Sequence, residues 1–219
     1  MTERNTIQQE ADSSKRVSLS EAQPTLEQGR LFADYLNTAA DGFFRFMLGK
    51  HYLEILAEAY RQPSHDLSYQ HVTFATLGDN TVGMVSGFTA QAHKASSPGV
   101  MADAAGLWNL RFWLVSILFA PLIRIIDTVD DNDFYLQAIA VDNDVRGKGI
   151  GTVLLDHAEA QAMGNGYKRI VLDVSANNDH AFRIYQNRGY RIRSTWPPHV
   201  RIPAIRVSRM VKELPTAIR

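Results

Sequence analysis

Six consecutive residues, Arg146-Gly147-Lys148-Gly149-Ile150-Gly151, interleave three glycines with two cations. Glycine reaches dihedrals closed to other residues and puts no side chain in the way. A turn of this kind lets several backbone N–H groups converge on one anion. Downstream, Ile150, Val153, Leu154 and Ala158 recur at helical spacing. The turn therefore opens a helix, whose first amides are free and whose dipole is positive at that end. Arg146 and Lys148 add two full charges. The chemistry favoured by this stretch is capture of a pyrophosphate.

Several phosphate-binding patterns compete for it. A Walker-type loop needs G-x-x-x-x-G-K-[ST], and no Gly-Lys here is followed by Ser or Thr. A dinucleotide fingerprint needs G-x-G-x-x-G directly after a strand. Here the glycines run G-x-G-x-G, and a polar linker beginning at Asp142-Asn143-Asp144 separates them from the apolar run Phe134 to Val141. Asp173 ends the next apolar run, Lys168 to Val174, where a ribose-binding acid would sit. A tight turn with no ligand is the remaining alternative for the glycines alone. The spacing Arg146, Gly149, Gly151 resembles the R-x-x-G-x-G coenzyme A pyrophosphate motif of the GNAT superfamily of N-acyltransferases. Beyond the next strand, Asn177, Ala181, Tyr185 and Gly189-Tyr190 resemble its second motif, N…A-x-x-x-Y-x-x-x-G-[FY]. The resemblance is tight over residues 134–192 and loose elsewhere.

That resemblance implies an α/β (α+β) fold: a mixed, mostly antiparallel sheet of about six or seven strands flanked by helices. It implies an acetyl-CoA-dependent N-acetyltransferase acting on a small-molecule or protein amine, without a metal. A sensor or structural module that binds acetyl-CoA without turnover is the alternative. Arg146, Gly147, Lys148, Gly149, Ile150, Gly151 and Thr152 would hold the pyrophosphate. The backbones of Ile139, Ala140 and Val141 would pair with the pantetheine arm, which Asn177 and Ala181 would also contact. Tyr185 would stand near the sulfur and donate a proton to the leaving thiolate; the alternative is a core tyrosine. The base is open. Side chains alternate along a strand, so Asp133, Tyr135, Gln137 and Ile139 are expected on one face, and Asp133 is the carboxylate among them.

Composition is consistent with such an enzyme and excludes other classes. The 219 residues suit a single domain with extensions, and 45% hydrophobic against 21% charged residues allows a sizeable core. Basic and acidic residues both number 23, so bulk charge does not point to nucleic acid. The absence of cysteine excludes disulfides and a cysteine nucleophile. The N-terminus lacks the pattern of a signal peptide, which makes the cytoplasm the default compartment.

The elements that must position these residues follow from pattern. Residues 1–23 read as a polar tail, with Arg16 to Leu19 as a candidate edge strand, and 24–219 as one domain. Helical spacing predicts helices from Thr25, over Phe43 to Leu48, and over His51 to Arg61, where Glu54 and Glu58 read as solvated surface. Strands are expected over Gln70 to Leu77 and Thr81 to Gln91, joined by a turn at Gly78-Asp79-Asn80. Gly83 and Gly87 hint at a bulge or a close approach. His93 to Pro98 reads as a loop, Trp196 to His199 as a rigid loop, which the family resemblance would put at the border of the acceptor site, and Ile205 to Val211 as a last strand. Residues 101–130 form a helical insertion whose apolar run, 107–126, is interrupted by Arg111, Pro121 and Arg124. It is too short and too charged for a transmembrane span. It is expected to cover the early helices, with Trp108 and Trp113 walling the acceptor; a homodimer interface or a membrane surface are the other covers.

Overall fold

The computed structural model describes residues 16–96, 99–105, 129–197 and 206–215. The insertion segment 106–128, with Trp108 and Trp113, lies outside the described residues, as do His199 and the first fifteen residues. Among the described residues, no helix is long and apolar enough to cross a membrane.

Seven strands form one sheet: β1 (Val17–Glu21), β2 (Val72–Leu77), β3 (Asn80–Thr89), β4 (Asp133–Val141), β5 (Arg169–Ser175), β6 (Arg191–Trp196) and β7 (Val207–Glu213). Their order is β1-β2-β3-β4-β5-β7-β6, and every neighbouring pair is antiparallel except β4 with β5. The expected mixed, mostly antiparallel sheet flanked by helices is what forms. Within the tail, Val17–Glu21 is an ordered edge strand on β2. The strand β6 was missed, because Arg191 to Ser194 are all exposed and show no apolar alternation.

One face of the sheet is covered by α1 (Leu26–Ala39), α2 (Phe43–Leu48) and α3 (Tyr52–Arg61). Thr25 caps α1, its hydroxyl accepting the Gln28 N–H at 3.2 Å, and Glu27 complements the dipole in the first turn. Phe32, Leu36, Leu56 and Tyr60 are buried between these helices and Val72, Phe74 and Met84 of the sheet. At Gly29 a Cβ would lie 2.9 Å from the Ala57 carbonyl, so α1 and α3 meet backbone to backbone. Glu54 and Glu58 face solvent, as expected.

The opposite face carries α6 (Ile150–Gly164), whose Ile150, Leu154, Leu155, Ala158 and Ala162 pack on Phe134, Leu136, Ile170 and Leu172. Burying one such Leu or Phe side chain contributes about 1.5–3 kcal/mol. Val153, expected on the inner stripe, is exposed, and Leu155 takes its place. Three shorter or later helices complete the described set: α4 (Ala90–Ala95), α5 (Val100–Ala105) and α7 (Asp179–Asn187). The helix α4 replaces the end of the expected third strand and the start of the expected loop. Thr89 caps it, accepting the Ala92 N–H at 2.9 Å, which turns the chain out of β3.

Alternation along β4 is broken once. Ser86 pairs with Ala138 and Gly87 with Leu136, leaving Gln137 as an extra residue. Such a bulge reverses the phase of the strand beyond it. Phe134 and Leu136 pack toward α6; past the bulge Ile139 and Val141 do so, while Ala138 and Ala140 pack with the α1 layer. Ile139 is therefore not on the face of Tyr135 and Gln137, contrary to simple alternation. Gly87 sits beside this bulge, where a Cβ would come within 2.6 Å of the Phe134 ring and 2.9 Å of the Tyr135 carbonyl. Gly87→Ala is expected to destabilise the fold by about 1–3 kcal/mol, the usual cost of overpacking, measured by urea denaturation.

Candidate active site

The ladder between β4 and β5 stops early. Asp133 to Leu136 pair with Arg169 to Leu172, and beyond that β5 pairs only with β7. The last five residues of β4, Gln137 to Val141, therefore border a gap on one side. Because β4 and β5 are parallel, their carboxyl ends open on the same edge, where crevices of parallel strands bind ligands.

Backbone direction along that edge follows from β3. Asp142 N–H donates to the Val82 carbonyl at 3.0 Å, so this opposed pair is a hydrogen-bonded one. Hydrogen-bonded pairs alternate along an antiparallel ladder. Ala140 therefore bonds to Met84, and the polar backbone groups of Ile139 and Val141 point away from β3 into the gap. The polar backbone groups of Ala140, the third residue expected there, point toward β3.

Past Val141 the chain makes a short turn through Asn143–Val145 and reaches the glycines. Gly147 and Gly149 hold φ of +77° and +84°, the left-handed region that favours glycine. Gly149 is the N-cap of α6 and brings no side chain to it. The first bond of the helical ladder is Val153 N–H to the Gly149 carbonyl, at 3.1 Å. The amides of Ile150, Gly151 and Thr152 precede it and have no acceptor among the described residues. The Ile150 side chain is buried under the sheet, so the helix start is anchored from below. Arg146 reaches back, its Nε donating to the Val141 carbonyl at 3.1 Å, and this fixes the loop against the strand. Arg146, Lys148 and Thr152 are exposed, and neither cation makes an ion pair among the described residues. The arrangement is a solvent-open cradle of amides with two positive charges beside it, suited to a multiply charged anion.

The β5 side supplies the other expected residues. Asn177 lies exposed in the turn after β5. The neighbouring Asn178, not Asn177, caps α7, accepting the Ala181 N–H at 3.0 Å, so the Asn177 carboxamide is not consumed by the cap. Ala181 and Tyr185 are half-buried on α7 against the α6-side core. The Tyr185 ring packs edge-on against Tyr190, with centroids 5.4 Å apart. Tyr190 is itself buried, donating to Glu159 at 3.2 Å. The Tyr185 hydroxyl has no hydrogen-bond partner among the described residues. Burial pushes its pKa up to about 12, so it keeps its proton throughout the physiological range.

Two acids named from the sequence are engaged elsewhere. Asp133 stands at the start of β4, the far end from the glycine turn. It is buried, with Arg169 Nε donating to Oδ1 at 2.5 Å and Arg193 3.6 Å from Oδ2. It clamps β4 to β5 and β6 and is not placed as a base. Asp173 accepts from Arg209 Nε at 3.0 Å and Nη2 at 2.7 Å, and from the Tyr135 hydroxyl at 3.1 Å. A carboxylate so occupied does not serve a ribose, which removes the dinucleotide alternative.

The face of the sheet under α1 also holds groups that the sequence did not bring together. The Ser86 hydroxyl donates to Gln137 Oε1 at 2.7 Å at the bulge. Two residues along β3, Phe88 lies against Tyr135, and His93 of α4 stacks on Phe88 with its Nδ1 2.6 Å from Asp66 Oδ2. His93, in the stretch expected to be a loop, and Asp66, which no sequence pattern singled out, lie 27 residues apart in the chain.

Asp133→Asn is expected to lower stability by about 1–3 kcal/mol, the cost of losing a buried charged hydrogen bond. Urea denaturation measures it, and a base role without a structural one would leave the midpoint unchanged.

The sequence model of the Acetyltransferase (GNAT) family matches residues 35–190. The uncharacterized protein YxbD of Bacillus subtilis (strain 168) is 41% identical over 56 residues, 26% of this chain and 35% of YxbD. The uncharacterized protein YdhI of the same strain is 33% identical over 88 residues, 40% of this chain and 51% of YdhI. The matched region thus spans about half the length of these relatives or less. A crystal structure of an acetyltransferase superposes with a TM-score of 0.63 at 22% identity, covering 90% of this chain and all of that one, a likeness of fold. The splayed β4–β5 pair, the glycine turn at its mouth and a family match over well more than half of the sequence agree: the chain belongs to the GNAT acetyltransferase family.

Proposed function

We propose that this protein transfers an acetyl group from acetyl-CoA to a primary amine carried by a small molecule or a protein. The observation that carries the proposal is the gap beside Ile139 and Val141, which runs directly into the uncapped start of α6. An extended chain with amide groups and a diphosphate at one end fits that shape. The diphosphate would sit on the amides of Ile150, Gly151 and Thr152, flanked by Arg146 and Lys148. Gly147 and Gly149 keep its approach open, since even a Cβ built there meets no atom within 4 Å. The pantetheine amides would pair with the backbone groups of Ile139 and with the Val141 N–H as an added strand, the Val141 carbonyl being held by Arg146. Asn177 offers its carboxamide from the β5 side, with Ala181 behind it.

Acetyl-CoA supplies an activated acyl group on a good leaving group. This chain's residues would orient that group and stabilise developing charge. A backbone N–H in the gap would face the acyl oxygen, where donors placed in advance stabilise an oxyanion. Tyr185 would present its hydroxyl to the sulfur. With its pKa near 12 against about 8.5 for a thiol, full proton transfer is uphill. Its contribution is a hydrogen bond that strengthens as negative charge grows on sulfur.

Gly151→Val separates fold from binding. Gly151 has ordinary φ, and a Cβ there meets only Val141 Cγ2 at 3.8 Å. The variant should fold and lose coenzyme A affinity by more than about tenfold, measured by calorimetry; unchanged affinity would remove the pyrophosphate assignment. Tyr185→Phe should keep acetyl-CoA affinity within a few-fold and lower turnover by roughly 10²–10⁴, the worth of a positioned proton donor. The assay is thiol release with a panel of primary amines. Tight acetyl-CoA binding without turnover on any of them would favour a sensor over an enzyme.

A further inference from the structure

We propose that the Gln137 carboxamide, aimed by Ser86, is a hydrogen-bond donor to the acyl oxygen of the bound thioester. The inference rests on the acetyl-transfer proposal and deepens it by adding a side-chain donor to the backbone N–H of that site.

The place follows from the ladder. Leu136 is the last residue of β4 paired with β5, so Gln137 stands at the apex of the gap. A thioester-bearing arm would enter from the other end, where its diphosphate rests on the start of α6. It would pair first beside Val141 and then beside Ile139, and its reactive end would lie beyond Ile139. Gln137 is two residues further in along the strand, about 7 Å. An arm that fills the gap from its mouth therefore presents its acyl group to Gln137.

The direction follows from Ser86. Its hydroxyl donates to Gln137 Oε1 at 2.7 Å. Ser86 is buried on β3, the strand on the side of β4 away from the gap. With Oε1 turned to β3, the Nε2 end of the carboxamide is the one left toward the gap. Nε2 is a donor, and it has no acceptor among the described residues. Gln137 is half-buried, so a ligand can reach that end. The bulge makes this possible: Gln137 is the extra residue opposite β3, and bulges re-aim side chains beside active sites.

Ser86 shares its face with Met84, which packs with Ala138 and Ala140 in the α1 layer. The carboxamide thus meets the acyl group from the α1 face, while Tyr185 belongs to the α6-side core. Oxygen and sulfur of the thioester would be served from opposite faces. The other polar side chains along this part of β4 are committed. The Tyr135 hydroxyl donates to Asp173, and Asp133 is held by Arg169.

The step balances. The nitrogen of a neutral amine bonds to the acyl carbon, and the carbonyl π pair moves onto oxygen. The oxyanion accepts from Gln137 Nε2 and from a backbone N–H of the gap, donors in place before the charge develops. The pair then returns to the C–O bond, the C–S bond breaks and the thiolate leaves. The nitrogen gives its surplus proton to solvent and the sulfur takes one from solvent. The sum is an N-acetylated amine and free coenzyme A, with Gln137 unchanged.

The test uses the full chain with acetyl-CoA isotope-labelled at the carbonyl carbon, read by infrared difference spectroscopy, and with spermidine and phenethylamine as acceptors. Gln137→Met keeps the length of the side chain and removes the donor. It should move the bound carbonyl stretch to higher frequency than in the wild type, because a donor weakens the C=O bond. It should lower kcat by roughly 10²–10³, the worth of one oxyanion donor, and leave coenzyme A affinity unchanged. Gln137→Glu should also lose activity, since a carboxylate opposes the oxyanion. Ser86→Ala should lower kcat by a smaller factor and add nothing in the Gln137→Met background, because it acts only through Gln137. An unmoved stretch or an unchanged kcat in Gln137→Met overturns the proposal. So does Gln137→Glu as active as the wild type, which would make the position a proton acceptor. A full further loss from Ser86→Ala in Gln137→Met overturns the aiming role of Ser86. If Gln137→Met does not fold, Ser86→Ala combined with it removes both hydrogen-bond partners and leaves neither unpaired, and the same two readouts decide. A wild type that binds acetyl-CoA and acetylates neither amine counts against the acetyl-transfer proposal, while the infrared shift still decides the role of Gln137. A wild type that does not bind acetyl-CoA overturns both.

Discussion

The structure depends on a ladder that ends too soon. In the middle of a seven-stranded sheet, β4 and β5 share only the pairs from Asp133–Arg169 to Leu136–Leu172. Past Leu136 the backbone of β4 has hydrogen-bonding groups on one side with no strand to meet them. Such groups cost free energy if buried unpaired, so they must face water or a ligand. Two devices keep the gap open. The bulge at Gln137 re-aims β4, and on the other side β5 is held away by its full ladder with β7. The Asp173–Arg209 pair locks that ladder at the level where β4 departs. Its geometry is two-pronged, with Arg209 buried and Asp173 partly so, which makes the contact strong and directional.

Both faces of the sheet then serve the gap. The α6 layer fixes the cradle, because Ile150 is at once the first helical residue and a core residue. The α1 layer reaches the same turn from the other side. Tyr35 of α1 donates to the Thr81 carbonyl at 3.3 Å and lies close to Asp142, the first residue after β4. The glycine turn is thus held at its base by two layers while its own residues stay exposed.

Charge follows the same logic. The chain is neutral overall, yet its charges are sorted by position. At the closed end of β4 and β5, Asp130, Asp133, Arg169 and Arg193 form a compact ion-pair cluster. At the open end Arg146 and Lys148 stand without an ion pair among the described residues. Paired charge staples the closed end; unpaired charge is left where an anion would dock.

Much of this was legible in the sequence because it is local. The glycine turn, the strand before it and the helix after it are fixed by dihedral freedom and hydrophobic period within about twenty residues. Asn177, Ala181 and Tyr185 share one short turn and helix, so their placement relative to one another is likewise local. The sequence also placed Phe43–Leu48 correctly as a helix. What only the tertiary structure decided involves partners far apart in the chain. The phase of β4 changes because an extra residue faces β3, so Ile139 faces α6 and Ala140 faces away from the gap. Asp133 and Asp173 look available in the sequence and are consumed by arginines from other strands. Asp66 and His93 are 27 residues apart and come to 2.6 Å only because α4 folds back over Phe88. Hydrophobic period encodes which face is inside; it does not encode which distant polar group will meet which, because that is set by strand register and helix docking.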